Sequence, residues 1–167
     1  SYTYDGESEN TTSESTAADG VTLKTFTAYS KDSSGNSVTA STDYAGRVTS
    51  TVADAISGLN LSTTDGEGNV TSYAYDSLQN LTSMLSNSTD IQTDYTYYPN
   101  GAIKSITSNS KGTSHIVYNF TYEPFGNISE IKVGNTTLVT YTYDNITHNP
   151  LTISYANGNI ITYNYDS

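Results

Sequence analysis

Cysteine is absent from the 167 residues, and so is tryptophan. Without thiols there is no disulfide framework, no thiolate metal site and no cysteine nucleophile. Cations are scarce: six Lys and Arg stand against 17 Asp and Glu, for a formal net charge of −11. They are scattered, at Lys24, Lys31, Arg47, Lys104, Lys111 and Lys132. A surface of that sign repels phosphates, so nucleic acid and anionic membranes are not expected as partners. No apolar run approaches the roughly 20 residues of a membrane-spanning helix. Histidine is nearly missing too. His115 and His148 stand alone, without metal-ligand spacing, and surface or strand positions are expected for both. No P-loop, G-x-S-x-G or G-x-G-x-x-G leading into a helix occurs, since "GEGNVTSY" at 66–73 runs into a strand-like stretch.

Tyrosine is what the chain does have, 16 of it, among abundant Ser, Thr and Asn. Thr and Tyr suit a pleated sheet, while Asn and Gly suit tight turns. The tyrosines recur in one pattern: "YTYD" at 2–5, "YAYD" at 73–76, "YTYY" at 95–98, "FTYE" at 120–123, "YTYD" at 141–144 and "YNYD" at 163–166. Turn signals follow, placing Gly or Asn where positive φ is needed: "SSGN" at 33–36, "GEGN" at 66–69, "PNGA" at 99–102, "PFGN" at 124–127 and "ANGN" at 156–159. Aligned on the turn, the series reads Gly35, Gly46, Gly68, Gln79, Gly101, Gly126, Thr147 and Gly158. Its main periods are 22 and 11 residues, the latter being a strand plus a tight turn. No helical period survives between the turns.

These signals predict an all-β fold: one array over 1–167, clearest from 21, of antiparallel hairpins forming a continuous curved sheet. A lone hairpin is marginal, so each unit needs the next. The two tyrosines of each Y-x-Y-D share a face, Tyr73 with Tyr75 for example, and the aspartate points the other way. Residues 5–20, acidic and free of aromatics, read as a mobile loop.

The motif Y-x-Y-D-x-x-G-[NR]-[LVI]-x-S resembles the tyrosine–aspartate (YD) repeat of bacterial Rhs and wall-associated proteins and of the teneurin extracellular region. "YAYDSLQNLTSM" at 73–84 carries the likeness best, with Gln79 in place of glycine. "TDYAGRVTST" at 42–51 lacks the tyrosine. "YTYYPNGAIKSI" has Tyr98 for aspartate, "FTYEPFGNISEI" has Glu123, and "YTYDNITHNPLT" has Thr147 for glycine. The resemblance implies the structural repeat residues Tyr73, Tyr75, Asp76, Tyr95, Tyr97, Gly101, Tyr122, Gly126, Tyr141, Tyr143, Asp144, Tyr163, Tyr165 and Asp166. It also implies a section of a spiral β-shell, bacterial and extracellular or at the cell surface, of the kind that in Rhs toxins encloses a toxic domain. Rhs cores end in a DPxGL-like segment with self-cleavage aspartates. Nothing in 1–167 matches it, so no catalytic residue is carried over.

The same residues allow other chemistry. Asp43, Asp65, Asp76, Asp144 and Asp166 recur, and paired catalytic carboxylates are one reading. An Asx-turn at each is the preferred one, because an active site is needed once and a turn in every unit. "DSSGN" at 32–36 and "DGEGN" at 65–69 look like fragments of a calcium loop but lack its distal glutamate, and hairpin turns are expected there. The Asn-x-Ser/Thr sequons read as composition rather than glycosylation. Tyrosine rows beside Asn and Asp can bind sugars, or can simply stack within the sheet. The expectation is a structural scaffold with no enzymatic activity, cofactor or metal. Its partners would be neighbouring repeats or other copies at open sheet edges, and an enclosed domain such as a toxin. A carbohydrate-binding adhesion module is the alternative.

Overall fold

The computed structural model describes residues 2–4, 11–16, 20, 22–110 and 115–166. Thr, Val, Ile and Tyr dominate the segments between turns, and these β-branched and aromatic side chains favour extended backbone. The chain divides into two compact units, 1–90 and 91–167. The first holds β1 (Tyr2–Tyr4), β2 (Thr11–Thr16), β3 (Thr22–Lys31), β4 (Ser37–Thr42), β5 (Val48–Ala53), β6 (Asn60–Thr64), β7 (Val70–Tyr75) and β8 (Leu81–Ser86). The second holds β9 (Ile91–Tyr97), β10 (Ile103–Ser110), β11 (Ile116–Tyr122), β12 (Ile128–Val133), β13 (Thr136–Tyr143), β14 (Pro150–Tyr155) and β15 (Ile160–Thr162). Within each unit the hairpins merge into a continuous antiparallel sheet whose spatial order is the order of the sequence. The all-β hairpin array is therefore as the turn spacing predicted.

The sheet is two-faced in the second unit. Register places Tyr95 opposite Ile106, Ile106 opposite Tyr118, Phe120 opposite Ile131, Ile131 opposite Val139, and Tyr141 opposite Ile153. These form rows across one face. The opposite face pairs hydroxyls and charges: Thr96 with Ser105 at 2.6 Å, Thr142 with Thr152 at 2.7 Å, and Thr137 donating to Glu130 at 2.7 Å. In the first unit the same alternation brings Thr39, Thr51, Thr63 and Thr71 into one row on successive strands. Among the described residues only Val139 is buried, at 8% exposure. This is a sheet held mainly by its ladders and cross-strand pairs, not by a packed second layer.

That distinction corrects the expected loop over 5–20. Thr11–Thr16 is a regular strand, pairing Tyr2 with Ser13 on one side and Thr11 through Thr16 with Thr27 through Thr22 on the other. Lack of large apolar side chains argues against a strand only where strands are held by burial. Here two ladders, the Glu14–Lys24 ion pair at 2.6 Å and the Thr16–Thr22 hydroxyl pair at 3.0 Å hold it instead. Residues 5–10 and 17–19 lie outside the described residues.

The glycine register holds. Gly101 and Gly126 sit in hairpin turns at φ +84° and +93°, and a Cβ at either would meet nothing within 4 Å. The penalty for a side chain there is conformational alone. Gly126→Val is expected to destabilise by about 1–2 kcal/mol or somewhat more, since valine is stiff at χ1. Thermal unfolding measures it; an unchanged midpoint would refute the register. Gly66 is constrained by contact rather than by φ: a Cβ there would lie 3.2 Å from Cβ of Arg47 in the turn two strands back.

Candidate functional site

The repeated chemistry concentrates in the turns. In each three-residue turn the glycine N–H donates to the carbonyl of the aspartate position, and the N–H of that position donates to the carbonyl after the glycine, as for Asp65 with Gly68 (3.0 Å) and Asn69 (2.9 Å). This is a type I turn closed by a residue in the left-handed region. The aspartate fills it. Oδ1 of Asp76 accepts the N–H of Leu78 and of Asn80 at 2.9 Å each, and Oδ2 accepts Nδ2 of Asn80 at 3.0 Å. Asp32 and Asp65 repeat the set with Asn36 and Asn69. Asp43 does so with Arg47, whose Nε lies 2.7 Å from Oδ2. The [NR] of the motif is thus the side chain that closes back on the carboxylate.

All these carboxylates are held below the usual aspartate range. The Asn side-chain amide is the largest cause at Asp32, Asp65 and Asp76, and the Arg47 N–H at Asp43. The Asx-turn expectation therefore stands for Asp43, Asp65, Asp76 and Asp144, and the stretches 32–36 and 65–69 are hairpin turns. Asp166 forms no such turn among the described residues.

Two turns are one residue longer than the motif. Asp144 N–H pairs with the Asn149 carbonyl at 2.8 Å and His148 N–H with the Asp144 carbonyl at 3.0 Å. The left-handed residue is accordingly His148, at φ 58°, and not Thr147. Thr147 instead donates both its N–H and its hydroxyl to Oδ1 of Asp144, the N–H being the main cause of that carboxyl's lowered pKa. Asp54 builds the same turn with Ser57 and Gly58, and the sequence reading missed it. The available signal was a hydroxyl residue three positions after the aspartate. Gln79 does occupy the glycine position, at φ 66°.

The second tyrosine of Y-x-Y has a task no periodicity revealed. The Tyr75 hydroxyl donates to the Asn60 carbonyl (2.9 Å), Tyr122 to Ile103 (2.9 Å), Tyr143 to Ile128 (2.8 Å) and Tyr165 to Pro150 (2.7 Å). Each acceptor is the first residue of the preceding strand. It lies two residues ahead of that strand's last ladder pair with the next: Ser62↔Ser72, Ser105↔Asn119, Glu130↔Thr140 and Thr152↔Thr162. Each tyrosine lies three residues past the same pair. The ladder stops there because every acceptor strand carries an extra residue just after its start: Leu61, Lys104, Ser129 and Leu151. Such a bulge twists the strand and ends regular pairing. The phenol spans the gap and satisfies a carbonyl the ladder has left behind. Burial, the main cause, raises the Tyr122 and Tyr143 hydroxyls above the ordinary tyrosine range, keeping them as donors.

The first tyrosines, and Tyr97 among the second, are placed otherwise. Tyr73 lies on the Tyr75 face with its hydroxyl 3.3 Å from Thr63 Oγ1. Tyr95 and Tyr141 sit in the apolar rows, Tyr97 pairs with Ile103, and the Tyr163 N–H donates to the Leu151 carbonyl at 2.9 Å. Tyr98, standing where an aspartate is usual, sends its hydroxyl to the Phe120 carbonyl at 3.0 Å and meets Tyr122 edge to face, ring centres 5.9 Å apart. His148 stacks on Phe125 at 3.7 Å, and His115 is exposed ahead of β11.

No protein-family model matches the chain, and no curated protein matches it. Solved structures do. A chain of the TcdB2–TccC3–Cdc42 crystal structure is similar over 94% of this chain, with a TM-score of 0.65 and 16% identity. Chains of the Photorhabdus luminescens Tc holotoxin pore and of the TcdB2–TccC3 crystal structure match 87% of it, each at a TM-score of 0.60 and 16% identity. At that identity the likeness is one of fold. The chain spans 10% or less of the length of these neighbours.

Proposed function

We propose that this chain is a stretch of wall in an extracellular β-shell, a scaffold that encloses or delivers another domain, a toxin being the leading candidate. Support comes first from the near-absence of a core: strands are held through ladders, turns and tyrosine latches, and one described residue is buried. Such a sheet is built to be extended by further hairpins rather than to close on itself. The fold it shares with chains of a Tc holotoxin supports the same reading. β1 and β15 each pair on one side among the described residues, and neighbouring repeats are the proposed occupants of their free edges. The apolar face that carries Tyr95, Ile106, Phe120, Ile131 and Tyr141 is the proposed lumen side.

We also propose that the chain has no active site of its own. Its recurrent carboxylates are spent on their own turns, and no acid, base and nucleophile converge among the described residues. Cryo-electron microscopy of the natural gene product tests the scaffold reading. The expected image is a hollow body with this segment in its wall and its tyrosine rows facing inward. A solid two-layer domain, with those rows packed against a second sheet, would overturn it. Screening the chain against glycans, esters and peptides is expected to give background turnover, and activity lost on a single aspartate substitution would refute the second proposal.

A further inference from the structure

Two turns of the second unit have moved their cap. Tyr98 and Tyr155 stand where six other turns carry an aspartate, and the acceptor comes from two residues further on. Oδ1 of Asn100 accepts the Ala102 N–H at 3.1 Å, and Oδ1 of Asn157 accepts the Asn159 N–H at 3.0 Å. The move places a side-chain amide directly before the turn glycine, Gly101 in one case and Gly158 in the other. No other Asn–Gly step occurs in the 167 residues. Glycine has no side chain to shield its nitrogen from the amide carbon of the residue before it.

The closed turn blocks that attack. The Gly158 N–H donates to the Tyr155 carbonyl at 2.9 Å, and the Asn157 side chain is held on the Asn159 N–H instead. Asn100 is held in the same way, with the Gly101 N–H on the Tyr98 carbonyl at 2.9 Å. Both asparagines are exposed, so access to water does not distinguish them. The closure of their hairpins does. β9 and β10 share seven ladder pairs, and β11 covers the other side of β10. Pro99 fixes φ inside that turn, and the Tyr98 hydroxyl is tied to the Phe120 carbonyl at 3.0 Å. β14 and β15 share three pairs, every residue of β15 is exposed, and no strand pairs with its far side among the described residues. Beyond β15, the Tyr163 N–H on the Leu151 carbonyl and the Tyr165 hydroxyl on the Pro150 carbonyl, at 2.9 and 2.7 Å, hold the chain down. Short edge hairpins with exposed hydrogen bonds are the first to open locally.

We propose that Asn157 is a site of spontaneous modification, converted to isoaspartate when the β14–β15 hairpin opens, and that Asn100 is protected by its place within the sheet. Hydroxide removes the Gly158 amide proton. The nitrogen bonds to Cγ of Asn157, and the side-chain nitrogen leaves as ammonia, giving a cyclic succinimide. Water then opens the ring. Addition at the main-chain carbonyl leaves the chain running through Cβ and Cγ, which is isoaspartate, and addition at Cγ leaves aspartate. Isoaspartate lengthens the backbone by one carbon, so the turn loses its register and β15 stays open.

The test incubates the 167-residue chain in mildly alkaline buffer and maps it by mass spectrometry with fragmentation that tells isoaspartate from aspartate. Asn157 should convert about tenfold or more faster than Asn100. In urea that unfolds the chain the two rates should converge, because glycine follows both. Tyr165→Phe removes one bond that holds the hairpin shut. It should speed conversion of Asn157 by about threefold and leave Asn100 unchanged. Asn157→Gln, whose longer side chain closes a ring far more slowly, should stop the reaction at that position. Equal rates at the two asparagines in the native chain, an unreactive Asn157, or a Tyr165→Phe rate equal to the parent's would each overturn the proposal.

Discussion

Acidification below about pH 4 is expected to unfold the chain abruptly, after a neutral-to-mildly-acid range in which stability is flat or rises. Six turn carboxylates, Asp32, Asp43, Asp54, Asp65, Asp76 and Asp144, have folded-state pKa values below the ordinary one. Glu14 and Glu130 are lowered by bonds to Lys24 and Lys132. A carboxyl depressed by folding stabilises the native state at all pH above its unfolded value, about 3.9 for aspartate. That contribution is lost as pH falls through the lower folded value, because the unfolded chain then binds protons more readily. Protons bound above that range relieve repulsion within a chain of net charge −11 and so do no harm. Below that range each proton must break a turn. Thermal midpoints followed by far-ultraviolet circular dichroism from pH 7 to 2 give the curve. Replacing all six aspartates by asparagine keeps an oxygen acceptor and removes the titration, so the acid loss should become much shallower. A midpoint that declines steadily from pH 6, or stays level to pH 2, would show that the turn carboxylates do not govern stability.

The turns were the most legible part of this fold because their chemistry is local. Asp76, the left-handed position at 79 and Asn80 are within five residues, and every bond among them is dictated by that spacing. Gly101 and Gly126 followed from the same rule. The spacing misled only where the turn grew by one residue, so that Thr147 was aligned with glycine although His148 takes the left-handed conformation. β2 escaped for a different reason: "TTSEST" has no apolar alternation because its strand has no core to face. Its ladders with β1 and β3 depend on partners that sequence alone does not pair. The turns at Tyr98 and Glu123 were visible as two departures from the motif. That they adjoin depends on the two strands between them, β10 and β11, returning the chain to the same rim after 25 residues rather than 22. The tyrosine latches were the least legible. The Y-x-Y spacing shows that two rings share a face. It does not show that a bulge on the preceding strand leaves a carbonyl within reach of the second hydroxyl and not of the first.

Tyr143→Phe and Tyr122→Phe should each destabilise by about 1–1.5 kcal/mol, and the double substitution by about twice that if the latches act independently. Phenylalanine keeps the ring and its apolar contacts. It removes only the donor, leaving the Ile128 or Ile103 carbonyl beyond the end of its ladder. Those carbonyls are partly shielded, so water replaces the bond incompletely. Tyr141 supplies the control: it shares the face and strand of Tyr143, and its hydroxyl has no hydrogen bond among the described residues. Tyr141→Phe should stay within about 0.5 kcal/mol of the parent, the range of substitutions that remove nothing specific. Urea unfolding measures all four proteins on one scale. A second reading separates the latch from packing. The raised pKa of Tyr122 and Tyr143 means that folding favours their neutral form. Their contribution is therefore complete below the unfolded tyrosine value of about 10 and lost as pH rises through the higher folded value. Phenolate absorbance should show two late-titrating tyrosines that vanish in the double variant, together with the alkaline loss of stability. Equal costs for Tyr141→Phe and Tyr143→Phe would reduce the second tyrosine to ordinary stacking. The regular offset of each phenol, three residues past the last pair toward a carbonyl two residues before it, would then need another explanation.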